Sequence, residues 1–322
     1  MRARHLFVLA LVLVTPARAS FAGKSPKRKP AKKAGGGGFG SAPVAKLPKL
    51  DAKAKKLLQQ LDGNVDAAQE QHFQGALQRL SRDDPALFDE LMGADGGLPT
   101  GAAHAKLVEL FWDAVAVYMP ARKRAVDGGL GAKMRAKVEA IAGCATASGP
   151  AVLDVGCGDG AMLPHLLRAG AAKAQYLGLD VSPRMVELAS AAHPGAAFRA
   201  AEFLDLTPTA DAPYDCCLLN GASQFFADQQ ALVAAAAAWV RPGGRVVLSH
   251  AQGAAFVADE HRGNPAVARS PLPDPLQLKD LAEALAMELL PAEECVAGGL
   301  VAGEQHTLEG ESFYLVALQK AG

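Results

Sequence analysis

The chain has 322 residues, half of them hydrophobic, with 33 Lys plus Arg against 33 Asp plus Glu. The neutral total hides an asymmetry: no acid precedes Asp51, residues 1–50 carry 11 Lys plus Arg, and the body from Asp51 onward is left at about −11. A large core is possible on this composition, and the acidic body argues against the long-range attraction to phosphates that a nucleic-acid binder needs.

Arg2 and Arg4 precede an apolar run from Leu6 to Val14, followed by the small-x-small signature Ala17-Arg18-Ala19. This is the pattern of a signal peptide over residues 1–20, and the run falls short of the roughly 20 apolar residues of a membrane-spanning helix. Residues 21–50 are basic, acid-free and Gly-rich, with Lys24, Lys27, Arg28, Lys29, Lys32 and Lys33 ahead of Gly35–Gly38. Such a stretch reads as a low-complexity transit or linker segment. A signal peptide followed by Phe21 and a basic segment resembles the bipartite presequence of algae whose plastids lie behind an endomembrane. Plastid delivery is the expectation, with secretion or an endomembrane lumen as the alternative and no stable membrane insertion after processing.

From Asp51 to Met92 apolar residues recur at helical spacing (Leu57, Leu58, Leu61; Phe73, Leu77, Leu80), and Gly93–Gly101 ends the pattern. Residues 51–100 form a helical extension and 101–322 the main domain. Helical patterns follow over Lys106–Tyr118 and Met134–Ile141. Arg122, Lys123 and Arg124 make one local basic run, read as a solvated helix face.

Ala151-Val152-Leu153-Asp154-Val155 fits a central parallel strand. It enters Gly156-Cys157-Gly158-Asp159-Gly160, and Ala161–Leu167 reads as a helix. A second strand, Tyr176–Leu179, ends at Asp180, placed to accept both hydroxyls of a ribose. Gly156-x-Gly158-x-x-Ala161 also satisfies the dinucleotide fingerprint, so NAD competes with S-adenosylmethionine (SAM). Asp159 decides against NAD. A carboxylate about 5 Å from a pyrophosphate would cost roughly 3 kcal/mol per like-charge pair at an effective dielectric near 20. SAM has no phosphate and carries two cations, which Asp154 and Asp159 suit.

Residues 152–160 resemble the first motif of class I SAM-dependent methyltransferases, and Gly178-Leu179-Asp180-Val181-Ser182 is similar to their second. Ala201-Glu202-Phe203 resembles the stretch where an acid meets the adenine amine and its neighbour lines the ring, although the family more often has Gly-Asp at 201–202. Tyr214–Asn220 resembles the fourth strand, and Arg241–Ser249 the turn and fifth strand. The resemblance spans about Lys106 to Gln319. It implies a Rossmann-like, seven-stranded, mostly parallel sheet with an antiparallel last strand (Ser312–Leu318), sandwiched by helices. It implies SAM as cofactor, bound by Asp154, Gly156, Cys157, Gly158, Asp180, Val181, Glu202, Phe203 and Asn220.

Asp228–Val240 and Leu276–Leu290 are expected as helices, and Val296–Gln319 as a hairpin. His250 follows the fifth strand and is the nominated general base; Gln252 and His261 complete a polar cluster toward the acceptor. No Pro-Pro-aromatic run follows Asn220, so amino-methylation of nucleic acid is disfavoured and a small-molecule acceptor is expected. Phe111-Trp112-Asp113 to Tyr118 resembles the helix that closes over the cofactor. Cys144, Cys157, Cys216, Cys217 and Cys295 show no metal-ligand spacing, and no metal is expected. Besides the oxidoreductase, the rival reading is a non-catalytic interaction protein using residues 51–92 as a docking arm.

Overall fold

The computed structural model describes residues 49–93, 97–125, 131–208, 214–295 and 312–322, without the side chains of 122–125, 132 and 292–293. The presequence reading falls on residues 1–48, the side chains of the Arg122–Arg124 run and most of the expected hairpin (296–311) also lie outside the described residues.

Among the described residues five helices precede the first strand, and the first four are α1 (Ala52–Gln60), α2 (Val65–Asp83), α3 (Pro85–Met92) and α4 (Gly101–Ala125). The first three start where a side chain satisfies a bare helix N–H: Asp51 accepts from Ala54, Asn64 from Ala67 and Asp84 from Leu87. Then come α5 (Ala132–Thr146), β1 (Val152–Val155), α6 (Leu163–Ala169), β2 (Tyr176–Asp180), α7 (Pro183–Ala192), β3 (Ala197–Ala200) and β4 (Tyr214–Asn220). The chain continues through α8 (Gln229–Trp239), β5 (Val240–His250), α9 (Gly253–Gly263), α10 (Pro275–Ala284), β6 (Met287–Leu289), α11 (Ala292–Cys295) and β7 (Tyr314–Lys320).

The seven strands lie in the order β3-β2-β1-β4-β5-β7-β6, parallel from β3 to β5, with β7 antiparallel to both β5 and β6. Alternation along each strand makes two cores. Leu153, Val155, Cys217, Leu219, Val246 and Leu248 face α8, α9 and α10. Val152, Tyr176, Cys216, Leu218 and Val247 face α5 and α6. The adjacent Cys216 and Cys217 therefore belong to opposite layers, and all five cysteines are free and buried.

A third core joins Phe73 and Leu77 of α2, Leu91 of α3 and Leu107, Phe111 and Val115 of α4 to Met185 of α7 and to Ala266 and Val267. The N-terminal helices thus share one apolar cluster with the residues beside the strand ends.

The expected helix over Leu276–Leu290 is corrected. Helix α10 stops at Ala284, and Met287–Leu289 pairs with Lys320–Leu318 as β6. Between them Ala286 takes φ 49, a left-handed conformation that costs a non-glycine residue roughly 1–2 kcal/mol. No glycine or proline marks that break, so the apolar pattern runs on while the sheet edge captures the chain. Helix α6 begins at Leu163, two residues later than expected, with Pro164 in its first turn.

Candidate functional site

Strands β1, β2, β4 and β5 end at Val155, Asp180, Asn220 and His250 on one edge of the sheet. The chain order reverses across β1 and β4, so a crevice opens beyond that edge, where ligands of open α/β sheets bind.

The glycine loop is laced to the tip of β2. Gly156 and Cys157 donate to the Leu179 carbonyl at 2.8 and 2.9 Å, and Gly158 donates to Asp180 Oδ2 at 2.9 Å. Ser182 N–H donates to Asp180 Oδ1, also at 2.9 Å. One carboxylate therefore clamps the loop and the following turn, and each of its oxygens keeps acceptor capacity for a hydroxyl. Gly156 (φ 71) is obligatory, because a Cβ would stand 2.4 Å from Ala222 Cβ. Gly158 (φ 54) differs: no atom lies within 4 Å of where its Cβ would be, and this bare patch opens beside Asp180.

Asp154 lies deeper and is held by the Tyr176 hydroxyl at 2.9 Å. Burial raises its pKa to about 7 against the Tyr176 hydrogen bond, with the Asp180 charge adding to the rise. Burial also raises Asp180 to about 6; its two backbone hydrogen bonds oppose the rise, while Asp113 and Asp159 reinforce it. Asp154 and Asp159 beside the glycine loop and Asp113 beside the following turn thus surround Asp180 within electrostatic reach.

Asp113 comes from α4. Its Oδ1 accepts the Ser182 hydroxyl at 2.6 Å and the Arg184 N–H at 3.3 Å. Val181 and Trp112 pack on the third core, and the Trp112 ring meets Phe225 edge-on, centroids 5.3 Å apart. Helix α4 is thereby anchored over the tip of β2.

Past β3, Glu202 accepts from Leu204 N–H at 3.4 Å, and burial raises its pKa. Phe203 is buried in the sheet core near Trp239, with ring centroids 6.5 Å apart, so its side chain acts as packing. Leu204, 43% exposed, is the large apolar side chain presented here, which sequence reasoning missed. Cys157 turns its thiol toward Gly178: a Cβ there would stand 2.9 Å from the sulfur. Burial pushes that thiol well up, so it is no nucleophile.

Asn220 Oδ1 accepts the Ser249 hydroxyl at 3.0 Å. Beyond it, His250 is buried, stacks on Phe256 with centroids 5.3 Å apart, and accepts the Gln252 N–H at Nδ1, 3.3 Å away. Burial lowers its pKa to about 4, so the ring is neutral at physiological pH. His250 and Gln252 are brought together. His261 instead meets the Ala268 carbonyl through Nδ1 at 2.8 Å.

The sequence reading also missed Glu260 and Gln224. Gln224 Nε2 donates to Glu260 Oε2 at 3.4 Å, both residues are buried, and the Oε1 of each has no hydrogen-bond partner. Burial raises Glu260 to about 8 against the Gln224 hydrogen bond. The available signal was Glu260 sitting three residues after Val257, on the helix's inward face. Among the described residues no cluster of His, Cys, Asp and Glu could hold a metal ion.

An open, mostly parallel sheet completed by one antiparallel strand, with a glycine loop after β1 and a carboxylate at the tip of β2, gives a Rossmann-like domain. Residues 153–248, running from β1 into β5, match the family model described as methyltransferase domain. Over that stretch the chain is similar to methyltransferase domains.

A malonyl-[acyl-carrier protein] O-methyltransferase of Hahella chejuensis is 37% identical over 99 residues, covering 30% of this chain and 35% of that protein. The chain thus matches about a third of the length of that curated relative. Among solved structures, a chain from a complex of a methyltransferase activator and a methyltransferase of Haloferax volcanii aligns at TM-score 0.48 and 18% identity, over 66% of this chain and 98% of that one. Magnesium protoporphyrin IX methyltransferase of Synechocystis with bound SAH aligns at TM-score 0.47 and 14% identity, over 68% and 100%.

Proposed function

We propose that the chain transfers the methyl group of SAM to a small-molecule acceptor. The gathering of Asp113, Asp154 and Asp159 around Asp180 carries this reading. A dianionic pyrophosphate would meet a cluster of acids there and drive their protonation further, whereas a sulfonium and an ammonium are attracted and favour the charged carboxylates. This also weighs against an NAD-dependent oxidoreductase. SAM, when bound, supplies a methyl already activated by positive charge.

The residues divide the remaining work. Asp180 takes the ribose hydroxyls, Glu202 is placed for the adenine amine, and the bare Cα of Gly158 admits the ligand beside the loop. Helix α4, pinned through Asp113, covers the crevice and limits water, and alignment of donor and acceptor does the rest. The nominated general base fits less well: with Nδ1 accepting the Gln252 N–H, the neutral His250 ring carries its proton on Nε2 and is set to donate a hydrogen bond to a polar acceptor rather than to take a proton from it. The relative's name specifies a malonyl thioester on a carrier protein; that acceptor belongs to the relative, over the third of its length that matches. The acidic body supports a small molecule over nucleic acid.

The same reading places the mature N-terminus between Ser20 and Asp51, after delivery to a plastid behind an endomembrane; N-terminal sequencing of the native protein checks it, and a retained Met1 overturns it. The function itself is tested with labelled SAM in cell extract. Label in a low-molecular-mass product is expected, and absence of turnover with SAM still bound would favour a non-catalytic SAM-binding protein.

A further inference from the structure

A second cavity lies among α1, α2 and α4, distinct from the crevice at the strand tips. Its volume is about 360 Å³, and its walls include Lys53, Lys56, His72, Arg79 and Tyr118. That is within the range of small-ligand sites, roughly 300–1,000 Å³. Three permanent cations line it and no acid does, among the described residues.

Tyr118 supplies the independent sign of a ligand. The residue is one of the cavity's walls and is fully buried, and its hydroxyl, closed to solvent, has no hydrogen-bond partner. Buried hydroxyls nearly always find partners, so an orphaned donor beside an open volume marks a place for an acceptor oxygen. The Arg79 guanidinium lies beside Gly75 of α2, its Nη1 at an ordinary contact distance of 3.8 Å from where a Cβ would stand.

The local field agrees. Besides burial, Arg184, Arg79 and Lys53 lower the His72 pKa, while Asp51 opposes them. The Asp51 carboxylate is already engaged with Ala54 N–H at 2.7 Å as the cap of α1. The imidazole is therefore neutral among cations and can donate one N–H.

We propose that this cavity is an anion site for a phosphate monoester, held by Lys53, Lys56 and Arg79 with the Tyr118 hydroxyl donating to a phosphate oxygen. The ester could be a free metabolite or a lipid headgroup; the chemistry recognised is the same. It is a separate site from the methyl-transfer crevice and stands whatever the acceptor proves to be.

The purified mature protein is titrated with inorganic phosphate at constant ionic strength, with chloride as control, following the thermal midpoint and calorimetric heat. A rise in midpoint specific to phosphate is expected. Lys53→Gln with Arg79→Gln should weaken phosphate binding by about tenfold or more, and Tyr118→Phe by several-fold, with SAM affinity retained. Retained SAM binding shows that the variants are folded and separates this proposal from the one above. Phosphatidic acid vesicles against phosphatidylcholine vesicles form the second arm: sedimentation lost in the double variant assigns a lipid source, and phosphate binding without sedimentation assigns a free ester. Equal response to phosphate and chloride, or equal binding by wild type and double variant, overturns the proposal.

Discussion

The Ser182 hydroxyl donates to Asp113 Oδ1 at 2.6 Å while accepting the Met185 N–H at 3.1 Å. One hydroxyl therefore caps α7 and fastens α4 to the turn that carries Asp180. Asp113→Ala removes the tie but leaves the cap. Amide exchange should rise in α4, and KM for SAM should increase about five- to tenfold, a charge-assisted bond being worth ~1.5–3 kcal/mol before compensation by water. Hydrogen-exchange mass spectrometry and steady-state kinetics check both; unchanged exchange in α4 would show that apolar packing alone holds it.

Asp180 clamps the glycine loop and, on the proposed reading, also takes the ribose, so its variants need two readouts. Asp180→Asn keeps an acceptor for one backbone N–H and loses the charge. SAM affinity should fall by at least about tenfold, since each charge-assisted bond to a ribose hydroxyl contributes ~1.5–3 kcal/mol. Calorimetry gives the affinity, and circular dichroism shows whether the loop's loss has unfolded the domain. The same carboxylates set a pH dependence. With Asp154 raised to about 7 and Asp180 to about 6, both are partly protonated in slightly acid solution. If the proposed roles hold, SAM binds their charged forms, so affinity should climb from pH 5.5 to 8 and binding should release protons. Heats measured in buffers of different ionisation enthalpy test this, and a flat profile would contradict the roles given to these acids.

The two loop glycines should separate stability from binding. Gly156→Ala forces a Cβ to 2.4 Å from Ala222 at φ 71, and should cost several kcal/mol in urea unfolding. Gly158→Ala meets no protein atom within 4 Å. It should cost only the left-handed strain, about 1–2 kcal/mol, while reducing SAM affinity disproportionately. Equal stability loss in the two variants would place Gly158 against protein rather than ligand.

Glu260 carries a linkage whose sign is opposite to that of an ion-paired acid. Its folded pKa is raised from 4.5 to about 8, so between those values the native state holds a proton the unfolded chain has lost. Its contribution is favourable at low pH and is lost as pH rises toward 8. Glu260→Gln mimics the protonated form and should match wild type near pH 5. It should be the more stable at pH 8.5, by at most on the order of 4–5 kcal/mol. Urea denaturation at the two values decides it.

The strand-loop-strand unit was readable because its chemistry is local. Asp154, Gly156, Gly158 and Asp180 lie within one βαβ stretch, where spacing alone sets geometry. Glu260 and Gln224 were not readable, because they meet only when the segment after β4 packs against α9, and no periodicity encodes that contact. The end of α10 failed for a related reason: the turn at Ala286 is stabilised by distant Lys320 and Leu318, not by a local breaker. Phe203 looked like a ring-lining residue from its position, yet the aromatic Trp239 beneath the sheet draws it inward.

Strand β7 fills the gap between β5 and β6 although it begins only at Tyr314, far downstream of His250 where β5 ends. During vectorial synthesis the row of N–H and C=O groups from Arg245 to His250 therefore emerges with no mate. Until Tyr314–Gln319 follows, that row is an open template for a neighbouring nascent chain. Truncation before Tyr314 leaves that row open for good, so such a chain should sediment with aggregates to a greater extent than the full-length one.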